Sequence, residues 1–118
     1  MAKESPRLRM NLDLRNSLSD KSQRMLNAIE PGSPMPIHRH RNSSETVVVL
    51  RGHFREDFYS EEGVLTESVD LIPGGECMAI NIPAGEWHTI TSLESGSVIL
   101  ETKDGPYEPL SSEDIMEL

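Results

Sequence analysis

The chain has 118 residues, 20 acidic against 11 basic, giving a formal charge of −9. That balance offers no cluster of cations for a phosphate backbone or an anionic bilayer, so neither nucleic acid nor a membrane surface is expected as a partner. Its length suits one domain, and 36% apolar with 4% aromatic residues is lean but richer than disordered chains usually are.

In chain order, residues 5–15 alternate, with Leu8, Met10, Leu12 and Leu14 opposing Arg9, Asn11, Asp13 and Arg15. This period of two predicts a half-buried edge or arm strand, and with the polar loop that follows it defines an N-terminal arm over residues 1–22, in which Asp20 could cap a helical turn. Residues 23–30 are ambiguous, since Met25, Leu26, Ala28 and Ile29 fit a helical face as well as a strand. Beyond Pro31-Gly32 turn residues recur about every ten positions and cut out apolar runs at 37–41, 45–50, 53–59, 64–71, 77–82, 88–93 and 97–103. Short strands at that spacing predict an all-β sandwich or barrel over residues 23–107. In the run 53–59, Phe54, Glu56 and Phe58 share a face, expected to turn the two rings inward with Glu56 near the rim; the alternative turns Arg55 and Asp57 toward the pocket. An acidic tail, 108–118, follows, in which Ser111, Glu113 and Asp114 predict a short helical turn.

Cys77 stands alone, so no intrachain disulfide forms, and Met1-Ala2-Lys3-Glu4 lacks the apolar core of a secretory signal. A reducing cytoplasm is the expected location. Apolar runs of about five residues fall far short of the roughly 20 that a membrane-spanning helix needs. Cys77 reads as packing, and His53, which has no partner at a ligand spacing, reads as structural.

The chemistry lies in four residues. His38 and His40, two apart in an extended run, present their imidazoles on one face. Glu45 opens the next strand and offers a carboxylate, and His88, after the tight turn Pro83-Ala84-Gly85, brings a third imidazole from elsewhere. Three nitrogens and one oxygen suit one divalent transition metal, Fe, Mn, Co, Ni, Cu or Zn, without selecting among them. In octahedral geometry two positions stay open for water, dioxygen or a chelating substrate.

The spacing from Gly32 through His38, His40 and Glu45 to Gly52 resembles the first motif of the cupin family. Gly75, Pro83-Ala84-Gly85 and His88 resemble the second, with Ser92 where that family has Asn. The resemblance implies a jelly-roll barrel of six to eight strands across residues 23–103, and hence a strand at 23–30. Within that family, Gln23-Arg24-Met25-Leu26, Glu30-Pro31-Gly32, His38-Arg39-His40, Val48-Val49-Leu50-Arg51-Gly52, Trp87-His88-Thr89 and Gly105-Pro106-Tyr107 are similar to the small WbuC-type cupins, which are associated with bacterial surface-polysaccharide biosynthesis. The resemblance names no reaction, but together with the open ligand set it points to a metal-dependent enzyme acting on a small oxygen-rich, sugar-like molecule. Arg24 and Glu101, in barrel-type strands, and Tyr107, after a turn, read as surface residues or as candidate substrate contacts, and Trp87 as a gate beside His88 or a cover of the barrel end. The alternative is a non-catalytic carbohydrate-binding or sensor module. Exposed sheet edges and the alternating arm suggest a homodimer.

Overall fold

A computed structural model describes residues 2–105 and 107–116; Met1, Pro106, Glu117 and Leu118, and with Pro106 the middle of the Gly105-Pro106-Tyr107 motif, lie outside the described residues. The strands are β1 (Arg9–Asp13), β2 (Ser22–Ile29), β3 (Ile37–His38), β4 (Glu45–Arg51), β5 (Phe54–Tyr59), β6 (Leu65–Leu71), β7 (Ala79–Ile82), β8 (Trp87–Ser92), β9 (Ser97–Asp104) and β10 (Ile115–Met116). Among the described residues the helical elements are two 3-10 turns, Ala2–Glu4 and Ser112–Asp114. No described helix is long and apolar enough to cross a membrane.

The strands form two antiparallel five-stranded sheets, ordered β1-β2-β9-β4-β7 and β10-β3-β8-β5-β6. Their facing sides enclose a core of Ile29, Val47, Val49, Phe54, Phe58, Leu71, Ile82, Ile90 and Ile99. This is the jelly-roll barrel expected of alternating strands that bury one face each. The register slips at Val49/Arg51, leaving Leu50 exposed, and the chain then turns through Gly52 at φ 87°. A Cβ on Gly52 would lie 2.7 Å from the Ser97 Cα, so both the left-handed backbone and the close approach require glycine there.

Three features depart from the sequence reading. First, β1 turns its apolar side outward: Met10 and Leu12 are 41% and 58% exposed, while Arg9 and Asn11 face the barrel cavity. Register explains this, because Asn11 pairs directly with Asn27 of β2, whose side chain points inward. Met10 and Leu12 thereby join an apolar outer face. The cross-strand row Leu12, Leu26, Leu100, Val48, Ala79 runs over all five strands of the first sheet.

Second, β3 ends at His38, so His40 sits beyond the strand. Its carbonyl accepts a hydrogen bond from the Gly85 amide at 2.8 Å, which ties it to the turn before β8. Third, the tail returns to the barrel: Ile115 of β10 pairs with His38, and Asp114 accepts from Arg39 Nε at 3.1 Å and Arg41 Nε at 2.6 Å. Two residues are too short a run to announce a strand by periodicity.

A buried histidine cluster at one end of the barrel

His38, His40 and His88 offer ligand atoms that all lie within 4.8 Å of one another. Each ring is held differently. The His38 Nδ1–H donates to the Pro36 carbonyl at 2.9 Å, which fixes the tautomer and leaves Nε2 with its lone pair. His88 pairs with His38 across β3 and β8, and their ring centroids are 4.4 Å apart. His88 Nδ1 lies 2.7 Å from Glu56 Oε1, while its Nε2 is buried with no hydrogen-bond partner. His40 packs edge-on against His38 at 5.1 Å, with Nε2 3.4 Å from Glu45 Oε2 and 3.5 Å from Lys103 Nζ.

Glu45 is buried at the start of β4, and its Oε2 likewise has no hydrogen-bond partner. Orphaned buried polar atoms are costly, and here an imidazole nitrogen and a carboxylate oxygen are both orphaned beside two further imidazoles. Nitrogen donors about 2.1 Å from one ion lie no more than about 4.2 Å apart, so small side-chain adjustments suffice for shared ligation. The donor set fits a divalent transition metal.

Electrostatics point the same way. Burial holds His38 and His88 down to about 4 and His40 to about 3, so all three imidazoles are neutral at neutral pH and able to ligate. Burial pushes the Glu45 carboxyl up, and a nearby cation would reverse that. Glu56, 1% exposed, is raised to about 9 by burial and by the neighbouring Glu101 and Asp57.

The cluster opens into a cavity of about 200 Å³ whose walls include Arg9, Asn27, Glu101 and Lys103, with Tyr107 and Leu110 at its mouth. Of the candidate substrate contacts, Glu101 and Tyr107 line this cavity. Arg24 does not; its guanidinium pairs with Asp20 at 2.8 Å. All three meet in an adjoining groove of about 310 Å³ that also contains Lys103. Trp87 lies outside the cavity wall, buried beneath the Arg39 guanidinium, 4.5 Å from the ring centroid, so it covers the barrel rather than gating the pocket. His53 pairs with Asp70 at 2.9 Å, away from the cluster.

The sequence pattern puts Glu56 near the rim and singles out neither Lys103 nor Asn27. Glu56 is instead the acceptor behind His88, a place its position between two inward phenylalanines could have suggested. Lys103 faces Glu45 only through the β4–β9 register, which no local pattern reveals.

Similar folds occur in solved structures. KdgF from Halomonas sp. aligns at 16% identity and a TM-score of 0.67, covering 88% of this chain and 85% of that one. CapF, solved with the inhibitor 3-isopropenyl-tropolone, aligns at 19% identity and 0.65 over 84% of this chain. Oxalate decarboxylase from Bacillus subtilis, a protein with Mn(II) centres, aligns at 21% identity and 0.63 over 93%. The chain spans only 28% of CapF and 27% of the decarboxylase. The common fold is the cupin jelly roll. No curated protein matches the chain. Residues 1–71 match the model of a family described as a domain of unknown function, and the chain belongs to that family, DUF6016.

Proposed function

We propose that this protein holds one divalent transition metal through His38, His40, Glu45 and His88 and acts as an enzyme on a small oxygen-rich, sugar-like molecule. The observation that carries the reading is the pair of orphaned buried atoms, His88 Nε2 and Glu45 Oε2, beside two more imidazoles at the floor of a polar cavity. When bound, such an ion supplies Lewis acidity toward substrate oxygens. The chain's own groups do the rest. The Pro36 carbonyl and Glu56 fix the outer nitrogens of His38 and His88, orienting both rings. Glu101 and Tyr107 contact substrate at the wall and mouth of the cavity, and Arg24 reaches a longer substrate through the adjoining groove.

Elemental analysis of protein purified without chelating resin tests the metal: about one Fe, Mn, Ni or Zn per chain is expected, lost in His38→Ala. Absence of metal after incubation with each of these ions would sink the reading. An activity screen of the loaded protein against sugars and nucleotide sugars tests the enzyme; binding without turnover would assign the non-catalytic role instead. A place beside surface-polysaccharide biosynthesis in the cytoplasm, as in WbuC-type cupins, is supported by motifs such as Trp87-His88-Thr89 that run beyond the ligands.

A homodimer is part of the same reading. The apolar row from Leu12 to Ala79 covers a sheet face bordered by the free edge of β1, and a specific interface needs roughly 800 Å² per partner, the scale of one sheet face. Light scattering should give twice the chain mass, reduced to the chain mass by Leu12→Lys; a monomeric parent protein would contradict pairing.

A further inference from the structure

Most arginines of this acidic chain sit beside a carboxylate. Arg15, Arg24, Arg39, Arg41 and Arg55 each lie within 4.0 Å of an acidic oxygen. The two cations in the barrel cavity differ. Arg9 donates from Nε to Ser33 Oγ at 3.1 Å and from Nη2 to the Pro34 carbonyl at 3.2 Å, both neutral acceptors, and its Nη1 has no partner among the described residues. Lys103 has a single polar contact there, His40 Nε2 at 3.5 Å. Glu45 and Glu101 line the same cavity, and Lys103 opposes the rise that burial gives both carboxyls, yet neither forms a salt bridge with Arg9 or Lys103 among the described residues.

A cation half removed from water without a counter-ion is unfavourable, and two in one cavity mark a place for an anion. Metal at the histidines strengthens the case. His40 Nε2 is then engaged, so Lys103 loses its one acceptor and gains a like-charged neighbour.

A second observation specifies more of the ligand. Asn27, 3% exposed, lines the cavity, and its Oδ1 is buried with no partner. Burial raises the Glu101 carboxyl, and the Asn27 side chain is among the groups that oppose this, which assigns its Nδ2 to that acceptor and leaves Oδ1 as an unmatched acceptor of a cavity-lining residue. A lone buried acceptor calls for a hydroxyl donor. The cavity, about 200 Å³, is smaller than the roughly 300–1,000 Å³ of pockets for drug-sized ligands, which limits the occupant to about one sugar unit. Four glutamates line the cavity, Glu45, Glu56, Glu101 and Glu108, so the second charge of a dianion such as phosphate would sit beside further anionic groups wherever any of them ionises.

We propose that the ligand is a small hydroxycarboxylate, its carboxylate held by Arg9 of the N-terminal strand and Lys103, and one hydroxyl donating to Asn27 Oδ1. This rests on the metal reading only for the position of the ligand's other oxygens.

Calorimetry on the metal-loaded full chain tests it with D-gluconate and D-sorbitol, which share six carbons and differ in the carboxylate, together with D-glucuronate, glycolate and D-glucose 6-phosphate. Gluconate should bind at least about tenfold more tightly than sorbitol. Lys103→Gln and Arg9→Gln should each remove on the order of tenfold of gluconate affinity while sorbitol affinity and metal content hold, and Asn27→Ala should weaken both ligands. Arg51→Gln, at the other end of the barrel, controls for net charge. Arg9 also ties down residues 33–35, so Lys103→Gln carries the test if Arg9→Gln misfolds.

Equal binding of gluconate and sorbitol, preference for the phosphate, an indifferent Lys103→Gln, or no binding of any of the carboxylates overturns the proposal. Failure of the metal reading is distinguishable. A protein that takes up no metal but still loses gluconate through Lys103→Gln keeps the anion site and discards the ion.

Discussion

The two ends of this barrel are built from the same strands and do opposite work. Along β9 the inward residues run Ile99, Glu101, Lys103; along β4, Val49, Val47, Glu45; and along β8, Ile90 then His88. At one end Ile99, Phe54 and Leu71 are fully buried in apolar contact, and at the other His38, Glu45, Glu56 and His88 are buried with polar groups only partly satisfied. A strand thus supplies folding energy over one half of its length and chemistry over the other. The apolar half must offset the cost of holding the polar half dry.

Substitutions should separate the two. Phe54→Ala empties the apolar end and should cost about 3–5 kcal/mol by denaturant unfolding, with metal stoichiometry unchanged in the folded fraction. A stability loss under about 1 kcal/mol would mean that this end is not the core. Gly52→Ala forces a side chain against Ser97 at a positive φ and should cost about 1–3 kcal/mol by the same measurement.

At the polar end, Glu56→Ala removes the acceptor behind His88 and should weaken metal binding roughly 10- to 100-fold in a competition titration. Glu56→Gln, which keeps an acceptor oxygen, should recover part of the loss. Equal affinity in all three proteins would deny Glu56 a role in orienting the ring.

The ends also differ in response to pH. Glu56, raised to about 9, contributes stability that is present below the ordinary glutamate pKa and lost as pH rises through 9; Glu45 and Glu101 are raised in the same sense. The histidines, lowered to about 3–4, contribute stability that is present above 6.5 and lost as pH falls through 4. Between about 4.5 and 6.5 the two groups oppose each other, so metal-free protein should lose melting temperature mainly between pH 7 and 9. Metal-loaded protein should resist that loss, because an adjacent ion favours ionised Glu45. Parallel melting curves with and without metal would contradict the shared site. The smallest effect is expected at the surface: Asp114→Ala, which frees Arg39 and Arg41 from that carboxylate, should leave the thermal unfolding midpoint nearly unchanged.

Much of this architecture was legible in the sequence because it rests on local rules. Alternation placed β4 to β9 within a residue or two, and the spacing of His38, His40 and His88 named the residues that converge. What escaped depends on register. Nothing local to β1 says that Asn11 lies opposite Asn27, so alternation predicts a half-buried strand without saying which side faces the barrel. Lys103 and Glu45 meet only when β9 and β4 pair, and β10 is a two-residue strand whose partner lies some 77 positions earlier (115 − 38). Glu56 was read as a rim residue because a buried glutamate is improbable until its partner, His88, is known to sit behind it.

X-ray absorption spectroscopy at the edge of the bound metal addresses the central claim most directly. One ion per chain with three imidazole nitrogens and a carboxylate oxygen in its shell, dropping to two imidazoles in His88→Ala, is the expected result. A shell without imidazole scattering, or one unchanged by His88→Ala, would contradict it.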